Sequence, residues 1–193
     1  MFRASSYKLA AMLFFILILN ACSNTTSVPT VVANKNLPSN VAPGSRALDQ
    51  KSSIPQVGQM APEFAYTTID GVEHKLSELR GRIVVLNFWA TWCEPCKQEM
   101  PALDRTNDKY GDRIIVLGIN KLENTDKIAE FAASIHTKFP LIANPKGDIP
   151  ELYGVRNLPT TYFILPDGTI GDWRPGGMQE DELATIIDGF IQR

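Results

Sequence analysis

The chain has 193 residues, with 19 basic and 21 acidic side chains and a formal net charge of −2. No basic patch or charge run stands out, which argues against nucleic acid as a partner. Its three cysteines are left to meet protein partners or small thiols.

The first segment is predicted to be a leader rather than part of the fold. Arg3 and Lys8 form a short positive region, and residues 9–19 are an almost unbroken apolar run of secretory length. The run is shorter than the about 20 apolar residues of a membrane helix. It ends in Leu19-Asn20-Ala21-Cys22, which resembles the bacterial lipobox, although Asn20 is not a usual residue at its place. The resemblance implies a lipoprotein signal peptide over residues 1–21, with Cys22 as the lipidated N-terminus of the mature protein. An uncleaved signal anchor or an ordinary secretory signal is the alternative. Residues 22–53 are rich in Ser, Thr, Asn, Pro, Val and Ala with no helical or strand period. Such a composition buries too little apolar surface to offset the entropy of ordering, so a disordered tether is expected.

The remaining residues, 54–193, are the size of one ordinary domain with a single core. Residues 62–67 and 72–76 read as a hairpin across Asp70-Gly71, and 77–81 as a helical turn closed by Gly81. The continuous β-branched character of 83–89 predicts a strand covered on both faces, followed by a helix over 94–110. Pro101 is expected to kink that helix. Residues 113–119 read as a second buried strand, 125–136 as a helix, 140–142 as a short strand and 148–153 as a short helix. A hairpin of 160–165 with 169–173, across Pro166-Asp167-Gly168, precedes a last amphipathic helix over 179–191.

Chemistry concentrates where the first buried strand meets its helix, at Trp92-Cys93-Glu94-Pro95-Cys96. A C-x-x-C at a helix start is a redox signal in an α/β pattern. The unpaired amides and the dipole of a helix N-terminus stabilise a thiolate there. With two intervening residues, the second thiolate can resolve a mixed disulfide formed by the first. Cys93, at the N-terminal side, is the candidate nucleophile and Cys96 the resolving thiol. A purely structural bridge over so short a loop would remove little chain entropy. A zinc site would want four ligands, and His74 and His136 lie outside the motif. Pro95 suits the first helical turn, where its missing donor would be unpaired anyway. Glu94 opposes a neighbouring thiolate by like-charge repulsion, which tunes the pair toward reductant; it is also an ordinary first-turn residue for the helix dipole.

The element order, together with Ala61-Pro62-Glu63-Phe64, the run from Asn87 to Glu99, Leu158-Pro159-Thr160-Thr161 and Pro166-Asp167-Gly168, resembles the TlpA/ResA branch of the thioredoxin superfamily. The resemblance covers nearly everything from Val57 onward. It implies a thioredoxin-like α/β fold, a central mixed sheet flanked by helices with an N-terminal β-hairpin, and places the branch's helix–strand insertion at 125–142. It also implies a proton-handling role for Glu99, three residues beyond Cys96. Thioredoxin carries a buried aspartate where this chain has Asn87, an amide that cannot take up a proton; the alternative for Glu99 is an ordinary surface glutamate. Leu158, Pro159 and Thr160 match the cis-proline loop, expected to present a backbone edge to a substrate peptide beside Cys93. Trp92 reads as an apolar platform for partners, and Phe88, Trp89, Met100 and Phe163 as core; Trp173 could be either.

The function this implies is a membrane-tethered extracytoplasmic thiol–disulfide oxidoreductase, facing the periplasm or cell exterior as a monomer. It would reduce disulfides of envelope proteins, apocytochrome c among the candidates, through Cys93 and Cys96 and without a cofactor or metal. A membrane electron donor of the DsbD or CcdA kind would supply its electrons. The rival classes are a thiol peroxidase and a Sco-type copper-handling protein, for which His136 is the available histidine.

Overall fold

The structure, a computed structural model, describes residues 54–68 and 71–193. The leader, Cys22 and the tether lie outside the described residues, as do Ile69 and Asp70 of the first hairpin's turn. Strands β1 (Ala65–Thr67) and β2 (Glu73–Lys75) pair antiparallel as a small separate sheet, and a single 3-10 turn, Leu76–Leu79, follows. The main elements are β3 (Ile83–Trp89), α1 (Glu94–Tyr110), β4 (Ile114–Asn120), α2 (Thr125–Ile135), β5 (Leu141–Ile142), α3 (Asp148–Leu152), β6 (Thr160–Ile164), β7 (Ile170–Pro175) and α4 (Glu180–Ile191).

The main sheet has the order β5-β4-β3-β6-β7. β3 pairs parallel with β4, and β4 with β5, whereas β3–β6 and β6–β7 are antiparallel, so the sheet is mixed. All seven residues of β3 are buried, and the period-2 alternation of a strand divides them between two cores. Ile83, Val85 and Trp89 join Met100 and Leu103 of α1 and Leu183 and Ile187 of α4. Val84, Leu86 and Phe88 join Phe64, Tyr66, Tyr153 and Tyr162 on the opposite face. By the same alternation the polar Asn87 falls on the α1 side, directly under the dithiol helix. Gly118 is closely packed: a Cβ there would lie 2.7 Å from Leu141 Cδ2 and 3.2 Å from Trp89 Nε1, so Leu141 would have to shift.

The first strand is three residues shorter than expected, starting at Ala65 rather than at 62, and most other ends differ by one or two residues. Asn124 accepts from the Lys127 amide at the start of α2, and His136 ends that helix in the left-handed conformation rather than belonging to it. Gln179 and Glu182 form a reciprocal capping box before α4. α1 continues through Pro101 without a break; Pro101 is exposed, on the outer side of the helix. β7 runs two residues further than expected, to Pro175, which an edge strand tolerates. Trp173 is exposed on one side and stacks on Tyr162, with ring centroids 6.0 Å apart.

Candidate dithiol site

Cys93 is the N-cap of α1 and Pro95 lies in its first turn. The chain leaves β3 at Trp89 and turns at once, the Cys93 amide donating to the Ala90 carbonyl at 3.1 Å. Cys93 and Cys96 are joined by a disulfide, and Cys93 Sγ also accepts from the Cys96 amide at 3.3 Å. That amide is one of the donors left over at a helix N-terminus, so a Cys93 thiolate would find a partner already aimed at it. Cys93 is 5% exposed and Cys96 0%. The difference in accessibility has the expected direction, but only a sliver of Cys93 meets solvent. Trp92, 66% exposed, stands at the rim.

Glu94 is exposed and ion-paired with Lys97, Nζ to Oε2 at 2.9 Å, which holds its carboxyl below the usual range. The lysine compensates much of the charge that Glu94 would otherwise set against the thiols, so like-charge repulsion from Glu94 is weaker here than the motif alone suggests.

Glu99 is 2% exposed, which rules out the surface reading of this residue. Its Oε1 accepts from Asn87 Nδ2 at 2.7 Å and its Oε2 from the Met178 amide at 3.1 Å. Burial pushes the carboxyl up to about 7, and these two hydrogen bonds only partly oppose the shift. Asn87 Nδ2 also donates to Thr161 Oγ1 at 2.9 Å, while Asn87 Oδ1 is buried without a partner. The amide therefore holds Glu99 in place and leaves the carboxylate as the titrating group.

The Leu158–Pro159 peptide bond is cis. The antiparallel register Phe88↔Thr160 brings Pro159 level with Trp89, at the end of the sheet from which the dithiol loop departs. Pro159 is buried and its carbonyl accepts from the Gly176 amide at 2.8 Å; Thr160 Oγ1 donates to the Asn157 carbonyl at 2.8 Å. Among the described residues the Leu158 backbone has no hydrogen-bond partner. The segment 176–178 thus joins the two halves of the site, bonding to Pro159 through Gly176 and to Glu99 through Met178. Beside the loop lies a groove of about 210 Å³ whose walls include Asn157, Thr160, Tyr162 and Trp173.

The structure thereby brings together Cys93, Cys96, Pro95, Glu99, Trp92 and Leu158–Thr160, and leaves Glu94 at the surface. Sequence reasoning missed Glu123, buried next to Thr91, two residues before Cys93. Its Oε2 accepts from the Thr91 amide and from Asn120 Nδ2, both at 2.7 Å, and its Oε1 from Thr91 Oγ1 at 2.6 Å. Burial acts to raise this carboxyl, but hydrogen bonds from Lys127, Thr91 and Asn120 outweigh it and hold the group at about 2. An acidic residue just past the C-terminal end of a parallel strand was the available signal, since α/β sheets place their sites there. Among the described residues no group of three or more His, Cys, Asp or Glu is placed to hold a metal ion, and no helix is long and apolar enough to cross a membrane.

Comparison with known proteins agrees with this geometry. The AhpC/TSA family matches residues 57–172. The thioredoxin-like protein YneN of Bacillus subtilis is 38% identical over 136 residues, 69% of this chain and 79% of the relative. The thiol-disulfide oxidoreductase ResA of Geobacillus thermodenitrificans is 34% identical over 135 residues, 69% of this chain and 78% of the relative. Among solved structures, a putative thiol:disulfide interchange protein DsbE from Chlorobium tepidum superposes with a TM-score of 0.67 at 32% identity, over 71% of this chain and 99% of that one. The chain belongs to the AhpC/TSA family of the thioredoxin superfamily and is a thiol–disulfide oxidoreductase of the ResA/DsbE type.

Proposed function

We propose that this protein is an exported, lipid-tethered reductase of disulfides in envelope proteins. The observation that carries this reading is a dithiol at a helix N-terminus above a buried carboxyl, Glu99, that titrates near neutrality. In the forward reaction the Cys93 thiolate attacks one sulfur of a client disulfide, forming a mixed disulfide and expelling the other client sulfur as a thiolate that takes up a proton. The Cys96 thiolate then attacks Cys93 Sγ, the Cys93–Cys96 bond forms, and the second client thiol leaves. Two electrons and two protons pass from the dithiol to the client.

Cys96 is wholly buried, so its proton needs a local acceptor, and Glu99 is the carboxylate on the same helix, three residues further on. A negative charge at Glu99 also disfavours thiolate, and a reduced form with less stabilised thiolate makes a stronger reductant. The unpartnered Leu158 backbone offers an edge to which an extended client segment can add. Trp92 and the groove along Tyr162 and Trp173 supply apolar contact.

Cys22 would carry the lipid, since two or more acyl chains anchor stably where one holds only marginally. Residues 22–53 would give the domain reach, and the domain would work as a monomer. Reducing equivalents would come from a membrane transporter of the DsbD or CcdA kind, and haem-attachment cysteines of apocytochrome c are candidate clients. Two experiments in cells test this. With Cys96→Ser, envelope proteins should be captured on Cys93 as mixed disulfides, and capture of none overturns the client class. Fatty-acid labelling should be lost in Cys22→Ser, and labelling that survives the substitution removes the anchor.

The AhpC/TSA match favours one second reading, reduction of peroxide by Cys93. Peroxide consumption by the reduced domain that outpaces its reaction with protein disulfides would establish it. The copper-handling alternative has less support, because His136 serves as the left-handed cap of α2. Stoichiometric copper binding lost in His136→Ala would revive it.

A further inference from the structure

The tripeptide Lys121-Leu122-Glu123, just past the end of β4, is tied both to the turn that carries the dithiol and to the segment that leads into the cis-proline loop. The Lys121 amide donates to the Trp89 carbonyl at 2.9 Å, where the chain leaves β3. The Lys121 ammonium is half-buried and donates to the Val155 carbonyl at 3.0 Å, four residues before the cis-proline. The Leu122 amide donates to the Asn144 carbonyl at 3.1 Å. Glu123 takes both the amide and the hydroxyl of Thr91 and is itself fixed by Asn120, whose Oδ1 accepts the Glu123 amide at 3.1 Å.

Leu122 sits between these two arms at φ 68° and is 60% exposed. A left-handed backbone is unfavourable for a leucine and persists only where the surroundings over-determine it. Here the flanking residues do so: Lys121 must face Val155 while Glu123 faces Thr91, and the residue between them absorbs the turn.

We propose that Lys121 and Glu123 are positioning residues forming a bracket, which sets the dithiol loop through Thr91 and the cis-proline loop through Val155 at a fixed separation. Attack on a client disulfide needs the Cys93 sulfur in line with a bond that the cis-proline loop presents, and small misplacements of reacting groups cost large factors in rate. The two arms have separable consequences. The Glu123 arm governs Cys93 toward any disulfide, whereas the Lys121 arm governs how a protein client is presented. The bracket rests on the dithiol reading of the site.

The experiment compares reduction of insulin and of glutathione disulfide, together with the pH midpoint of Cys93 alkylation, with folding checked by circular dichroism. Glu123→Ala should slow both reductions by about tenfold or more and move the alkylation midpoint. Glu123→Gln, whose amide can accept from the Thr91 N–H and donate to Thr91 Oγ1, should recover most of the rate. Lys121→Met should raise KM for insulin severalfold more than for glutathione disulfide. If Glu123→Ala does not fold, Thr91→Val, which removes only the hydroxyl contact, should still shift the midpoint. An unchanged midpoint and unchanged rates in folded Glu123→Ala or Thr91→Val, or equal effects of Lys121→Met on both substrates, overturn the bracket. Exchange that survives in Cys93→Ser overturns the dithiol reading instead, whatever the bracket variants do.

Discussion

Glu99 and Glu123 are both buried carboxylates attached to the dithiol site, yet one is pushed up to about 7 and the other held at about 2. Burial raises both, so the partners decide. Glu99 receives two neutral donors, Asn87 Nδ2 and the Met178 amide. Glu123 receives three neutral donors from Thr91 and Asn120, and the Lys127 ammonium at 2.6 Å from Oε1. A charged donor and a complete shell keep Glu123 ionised at every physiological pH, which suits a fixed clamp. The incomplete, uncharged shell of Glu99 leaves its two protonation states close in free energy at neutrality, which suits a group that exchanges a proton with a buried thiol.

The sharpest way to break this contrast is to delete the clamp. Glu123→Ala leaves the Thr91 amide and Asn120 Nδ2 without their acceptor, and stability should fall by about 2–4 kcal/mol in urea unfolding. A loss under about 0.5 kcal/mol, the range of an ordinary surface change, would mean that water replaces the carboxylate without cost.

The pH dependence of stability separates the two groups next. The folded value of Glu99, about 7, lies above the ordinary 4.5, so the fold favours the neutral carboxyl. That contribution is complete below about pH 4.5 and is lost as pH rises through 7, a change of roughly 3 kcal/mol. Glu99→Gln should abolish this slope in the window from 4.5 to 7. Glu123 runs the other way: its contribution is present above 4.5 and is lost as pH falls through about 2, so Glu123→Gln should flatten only the acid limb.

Converting Asn87 to Asp tests the same logic from the partner's side. A second carboxyl against Glu99 should drive its titration above about 7, by one unit or more, read from carboxyl carbon shifts in NMR. A lowered value would show that the amide's donor role had been misread. The smallest effect is expected at Lys127, which is 53% exposed. Lys127→Met should cost under about 1 kcal/mol and leave Glu123 ionised at neutral pH, because Thr91 and Asn120 remain.

Much of the scaffold was legible in the sequence because its signals are local. The apolar run of β3, Pro95 in the first turn of α1 and the helical spacing of apolar residues in α2 and α4 mark element ends within a few positions. The cis geometry at Leu158–Pro159 was legible only by resemblance, since no local residue choice demands it. Of the bracket, only an acidic residue just past the end of a parallel strand was legible; its contacts were not. Glu123 meets Thr91 only because β3 and β4 pair in parallel with Trp89 opposite Asn120, a register set by tertiary packing. Leu122 gives no hint of a positive φ, as leucine is a poor residue for it. The burial of Glu99 was equally hidden, because it depends on the polar Asn87 lying beneath it in an otherwise apolar strand. The compensation of Glu94 by Lys97 was readable from the i,i+3 spacing, and it transfers the argument for a reducing site from Glu94 to Glu99.

The reduction potential of the Cys93–Cys96 couple, measured against a glutathione or dithiothreitol buffer at pH 7 in wild type and Glu99→Gln, tests the central claim most directly. The account predicts a wild-type value near −270 mV or lower, with the glutamine variant displaced toward more oxidising values because the anion that disfavours thiolate is gone. A wild-type value near −120 mV, typical of a strong oxidant, or a Glu99→Gln variant with an unchanged potential, would contradict it.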